Sequence, residues 1–90
     1  MDGTTWKRVY TDPTDGDAMT DVYTFNSPNF SFTITWTGSA GSGTQTGGGT
    51  YSISGNKVTL TPTVTSGGTT LSGTISGNKL TIEGDEFTKQ

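Results

Sequence analysis

The clearest pattern in the chain is strict alternation. Phe30, Phe32, Ile34 and Trp36 are separated by Ser31, Thr33 and Thr35, the period-2 signature of a strand with one face toward a core and one toward solvent. Weaker versions cover 4–10, with Trp6, Arg8 and Tyr10 on one face, and 19–25. The pattern then repeats itself: Ile53-Ser54-Gly55-Asn56-Lys57-Val58-Thr59-Leu60 returns 22 residues later as Ile75-Ser76-Gly77-Asn78-Lys79-Leu80-Thr81-Ile82. Gly-Asn between alternating apolar and hydroxyl residues predicts a two-residue hairpin turn, because such turns need positive φ. No window carries a 3.6-residue period, so no helix is expected.

Turn lengths then set a register. A four-residue turn at 26–29 pairs Phe25 with Phe30 and Tyr23 with Phe32, and an eight-residue acidic loop at 11–18 pairs Tyr10 with Met19, Arg8 with Asp21 and Trp6 with Tyr23. The Gly-Asn turns pair Ile53 with Val58, Tyr51 with Leu60 and Ile75 with Leu80. A turn at 65–68 pairs Val64 with Thr69, Pro62 with Leu71 and Val58 with Ile75, and one at Gly84-Asp85 pairs Ile82 with Phe87. Between Trp36 and Tyr51 the sequence holds only Gly, Ser, Thr, Ala and Gln apart from its ends, which predicts a flexible hairpin loop over 38–49. Every turn length puts the apolar residues on one common face, and a one-residue slip anywhere would break that agreement.

Eight strands in a meander leave one apolar face and two edges, with no helix to cover them. Closure removes both problems. The expected fold is therefore all-β, a single domain over 1–90 forming an eight-stranded antiparallel up-and-down barrel. A two-sheet β-sandwich is the alternative. Pro62 lacks a backbone donor and predicts a bulge or bend, eased by Gly49 or Gly73.

Composition narrows the function. The chain has 90 residues and neither cysteine nor histidine, so it lacks disulfides, thiolate metal ligands and the commonest general base. Leu, Ile, Val and Phe total 15, a low fraction for a folded domain, but threonine, at 21 residues, is a strand former. Five basic residues are scattered against eight acidic ones, which argues against nucleic acid as a partner. No apolar run is long enough for a membrane span. The chain is expected to be non-enzymatic, free of cofactors and monomeric.

Taken in order, several segments resemble the small bacterial lipocalin-like domains of the calycin group. They are Gly3-Thr4-Thr5-Trp6, Tyr23-Thr24-Phe25-Asn26, Gly49-Thr50-Tyr51-Ser52-Ile53, the stretch from Gly55 to Leu60, the stretch from Gly73 to Leu80, and Phe87-Thr88-Lys89. One departure stands out: two residues separate Gly3 from Trp6 where the family typically has one. The resemblance implies a lipocalin-like barrel, secreted or surface-anchored if Met1 is not the native start. It also implies a cation–π contact of Lys89 over Trp6, for which a frayed terminus is the alternative.

Hairpin counting places the loops at 11–18, 38–49, 65–68 and 84–85 at one end and the tight turns at the other. Trp6, Phe25, Phe30, Ile53, Val58, Ile75 and Leu80 are then expected to plug a floor, with Tyr10, Met19, Trp36 and Ile82 nearer the mouth. The candidate ligand-binding residues are Arg8, Tyr10, Met19, Asp21, Ile34, Trp36 and Ile82, and the expected ligand is a small hydrophobic molecule. Arg8 opposite Asp21 is the polar anomaly on the inner face, either a handle for a head group or an ion pair that satisfies itself. Asp12, Asp15, Asp17 and Asp21 fit no EF-hand spacing, so a solvated turn is expected rather than a metal site. Glu83 and Glu86 should lie outside. The alternative function is a structural or interaction domain with a filled interior that contacts a protein or a glycan.

Overall fold

A computed structural model describes residues 2–39, 41–63 and 70–90. Eight strands close in sequence order: β1 Thr4–Thr11, β2 Ala18–Asn26, β3 Asn29–Gly38, β4 Gly41–Ser54, β5 Lys57–Pro62, β6 Leu71–Ser76, β7 Lys79–Ile82 and β8 Asp85–Lys89. All neighbours are antiparallel, and β8 returns to β1 through Trp6↔Lys89 and Lys7↔Thr88. The meander is a closed barrel and not a sandwich.

Registers derived from the first two turns and from the Gly-Asn hairpins hold: Arg8↔Asp21, Tyr23↔Phe32, Tyr51↔Leu60 and Ile75↔Leu80 all face one another. Gly55 and Gly77 take positive φ (62° and 61°) while the asparagines do not, so glycine supplies the left-handed residue at the first turn position. At 26–29 the ladder runs one pair further, to Asn26↔Asn29.

Three expectations are corrected. The segment 38–49 is not a flexible loop. Its residues from Gly41 onward form the first half of β4, paired with β3 from Gly38↔Gly41 through Asn29↔Thr50. The missing apolar side chains are replaced by rings from across the ladder: a Cβ on Gly43 would collide with the Trp36 indole, and one on Gly47 with the Phe32 ring. Aromatic rings lying over facing glycines hold a strand segment that has no apolar side chain of its own.

The other two corrections are register slips of two residues. Leu71 faces Leu60 rather than Pro62, and Val58 faces Gly73 rather than Ile75. The last turn is Glu83-Gly84, so Phe87 faces Leu80 rather than Ile82. A slip of two keeps every side chain on its face, which is why facing was right where pairing was not. The expected pairing of Val64 with Thr69 and the turn at 65–68 lie outside the described residues.

The buried core is Trp6, Phe25, Phe30, Val58, Leu60, Leu80, Ile82 and Phe87. Tyr23 is its hub, with ring centroids 5.6 Å from Phe32, 5.1 Å from Phe87 and 6.1 Å from Phe30, spacings at which aromatic pairs add to simple burial. Ile75 packs against this core, but Ile53, expected in the floor, is 47% exposed at the end of β4. Pro62 is buried as the last residue of β5, facing Gly49. A Cβ on Gly49 would strike the Thr61 carbonyl and the Pro62 Cα, so the strands approach there as only glycine allows.

Candidate functional site

Strand lengths differ sharply between the halves of the barrel. β5 to β8 have four to six residues each, whereas β4 has 14. The ladder with β5 begins at Gly49, so among the described residues 41–47 pair with β3 alone. The upper parts of β1 to β4 therefore project beyond the short strands as a four-stranded sheet, and the molecule measures 41 Å along its longest axis.

The inward side chains of this sheet lie in rows that run across the strands. The outermost row is Tyr10, Met19, Trp36 and Gly43, and the next is Arg8, Asp21, Ile34 and Gln45. Six of the seven residues singled out from the sequence thus share two adjacent rows. Ile82 does not join them: it is 4% exposed and belongs to the core. Tyr10, Met19, Ile34 and Trp36 are half-buried, and Gln45 is exposed despite its inward position, so nothing described covers the β4 side of this face.

Arg8 is the polar centre. Its guanidinium lies 3.7 Å from Asp21 Oδ2 and 3.5 Å from Asp85 Oδ1, and stacks 3.6 Å above the Tyr10 ring. Asp21 is the partner expected from the sequence; Asp85 is not, because a turn at Gly84-Asp85 would take it out of the strand, whereas the observed turn is Glu83-Gly84. The cation–π contact falls to Arg8 over Tyr10; Lys89 faces Trp6 in the ladder but is exposed and makes none.

Asp21 is buried, and its Oδ1 has no hydrogen-bond partner among the described residues, an unusual state for a carboxylate oxygen. Burial pushes its carboxyl above the ordinary aspartate range; Arg8 pulls against that rise and Asp85 adds to it. The Tyr23 hydroxyl is raised as well, by burial first and then by the charges of Asp21 and Asp85.

The acidic loop at the same end is tied mainly to itself. Asp12 Oδ1 accepts from the Thr14 amide, Asp15 Oδ1 from the Asp17 amide, and the Asp12 amide donates to the Asp17 carbonyl. The Asp17 carboxylate fills the space a side chain on Gly38 would need. Among the described residues no three acidic side chains converge as the ligands of one metal ion would, and the described wall encloses no pocket. Chemically, the site offers an apolar and aromatic face with a loosely held guanidinium between two carboxylates.

A scan against protein-family models matches none, and searches of the curated proteins and of the solved structures find no match. The likeness to lipocalin-like domains stands at the level of the fold, a closed eight-stranded antiparallel barrel.

Proposed function

We propose that this domain is a non-enzymatic interaction module whose filled barrel carries a docking face, rather than a container for a small molecule. The observation that supports the reading is the contrast between rows of one sheet. Trp6, Phe25 and Phe30 are buried in one cluster with Val58, Leu60, Leu80, Ile82 and Phe87 of the short strands, while Tyr10, Met19, Ile34 and Trp36, on the same face, are half-buried above them. Aromatic residues in such a position suit a partner surface because they bring large contact area with few torsions to freeze, and Met because its flexible thioether adapts to the partner's shape. The kinship with lipocalin-like domains belongs to this proposal too: the barrel is shared, and its open end is put to a different use.

The test separates the two uses. The folded domain, immobilised, is panned against a displayed peptide library and a glycan array, and titrated in solution with the dye N-phenyl-1-naphthylamine. Specific binders whose binding is lost in Trp36→Ala and kept in Val9→Ser, on the exposed outer wall, are the expected result. Dye fluorescence that rises with the wild type and vanishes with Trp36→Ala would instead establish a small-ligand container.

A further inference from the structure

The charges of the chain are sorted along the barrel axis. Of the eight acidic residues, six gather at the open end: Asp12, Asp15 and Asp17 in the β1–β2 loop, Glu83 in the last turn, Asp85 at the start of β8, and Asp21 on the inner face below. Arg8 is the basic residue among them. Lys57 and Lys79 begin strands at the opposite end, and Lys89 faces Trp6 near it. A modest net charge of −3 thus conceals a strongly negative rim. Clustered charge of one sign at the edge of a low-dielectric surface raises the local concentration of oppositely charged partners and speeds their encounter.

We infer that the partner docked on the face of Tyr10, Met19, Ile34 and Trp36 is a basic protein segment, an extended stretch in which Lys or Arg side chains accompany apolar or aromatic ones. This rests on the docking-face reading and names the chemistry of its occupant. Charge complementarity carries it, and two features of the site support it independently. The buried Asp21 Oδ1 has no donor among the described residues, and Arg8 is held at 3.5–3.7 Å from its two carboxylates, too far for strong hydrogen bonds. A cationic side chain arriving at the rim finds the exposed Asp85 carboxylate, which Arg8 holds only loosely, with the charge of Asp21 behind it. The dispersal of the acids around the rim also favours charges spaced along a chain over a single ion, for which convergence would be needed.

Fluorescence anisotropy of three labelled peptides provides the test. They share two Trp and two Leu and differ at four positions, carrying Lys, Gln or Glu; spermine and a neutral oligosaccharide serve as competitors. The Lys peptide should bind roughly tenfold or more tightly than the Gln peptide at low salt, and the margin should shrink as salt shortens the screening length. Asp85→Asn and Asp21→Asn should each weaken the Lys peptide several-fold without affecting the Gln peptide. The first variant alters an exposed side chain and keeps the test informative if the second disturbs folding.

Equal binding of the Lys and Gln peptides, a preference for the Glu peptide, or displacement by the oligosaccharide would overturn the basic-segment inference. If that binding were still lost in Trp36→Ala, the docking face itself would stand. Spermine binding as tightly as the Lys peptide, and insensitive to Trp36→Ala, would point to a free polyamine and overturn the protein segment. Absence of binding by every probe, with no binder from the library, would sink both readings.

Discussion

The two ends of this barrel are built from the same alternating strands and reach opposite outcomes. At the floor each turn is bonded to a strand beyond its own hairpin. The Pro28 carbonyl accepts from Tyr51, that of Asn56 from Ile75 and that of Asn78 from Lys89, while the Gln90 amide donates to Thr5. At the rim, the acidic loop bonds mainly within itself, and 41–47 of β4 pair on one side among the described residues. Facing inward is therefore not the same as being buried. Burial needs a strand on the far side of the barrel, and among the described residues β5 to β8 are too short to provide one at the rim.

The sharpest consequence concerns Phe25 and Trp36, both aromatic and both inward on neighbouring strands. Phe25 has no exposed surface and meets Tyr51 edge-on at 4.9 Å and Phe30 at 6.1 Å. Phe25→Ala should cost about 3–5 kcal/mol, the range for a large aromatic deletion in a packed core, and can abolish folding in so small a domain. Trp36→Ala should cost less, about 1–2 kcal/mol, because the indole is only partly buried. Urea denaturation of both variants reads the difference directly. Similar losses would mean that the projecting sheet is part of the core after all.

Glycines give the next contrast. In Gly49→Ala the new methyl meets the Thr61 carbonyl and the Pro62 Cα, which are backbone and cannot step aside, so a loss of about 1–3 kcal/mol is expected. In Gly43→Ala the methyl meets the Trp36 ring, a partly exposed side chain rather than backbone, and a smaller loss, about 1 kcal/mol, should follow as the ring shifts. Thermal melting of the pair checks the order.

These glycines also mark what the sequence made legible. Facing was readable almost everywhere, because loop lengths fix parity and parity survives the slips of two found in the β5–β6 and β7–β8 ladders. The first half of β4 was misread because strands were sought through apolar side chains, and it has none. A signal was there nonetheless: counted back from the Gly38↔Gly41 pair, Gly43, Gly47 and Gly49 fall opposite Trp36, Phe32 and Phe30, a glycine against each aromatic ring, with Gln45 opposite Ile34 as the exception. The candidate site was legible as a parity set, which is why six of its seven residues lie together. Asp85 was misplaced because a turn set one residue late took it out of the strand; Ile82 was misplaced because β7 has only four residues, so even its last one lies at the level of the core. Strand length, which separates floor from rim, depends on closure of the whole barrel, and local pattern does not encode it.

Charge separates the ends again, in a way that pH exposes. The unfolded chain releases the Asp21 proton near 3.8, whereas burial holds it more tightly in the folded barrel. Between those two pKa values the folded state carries the extra proton, so this group's contribution to stability falls as pH rises. The contribution is fully present at and below about pH 3.8 and is lost as the folded carboxyl ionises. Urea midpoints of Asp21→Asn relative to the wild type should therefore increase from pH 4 toward pH 7. A relative decrease would show that the attraction of Arg8 outweighs burial.

The smallest effect lies in the turns. At the floor, Gly55 and Gly77 occupy the positive-φ positions without penalty, but at the rim Glu83 takes a φ of 48° ahead of Gly84 at 88°. A side chain with a Cβ is strained in that left-handed region, and two consecutive positive φ values call for Asn-Gly or Gly-Gly instead. Glu83→Asn should stabilise the domain by about 0.5–1 kcal/mol. If the rim is a docking face for a basic segment, the same change should weaken the Lys peptide while its effect on the Gln peptide is nil. Stability and binding would then move in opposite directions in one variant, as expected where an acidic side chain is kept at a strained position for its charge. Unchanged binding together with the gain in stability would reduce Glu83 to an imperfect turn residue and leave Asp85 and Asp21 to account for the charge selectivity.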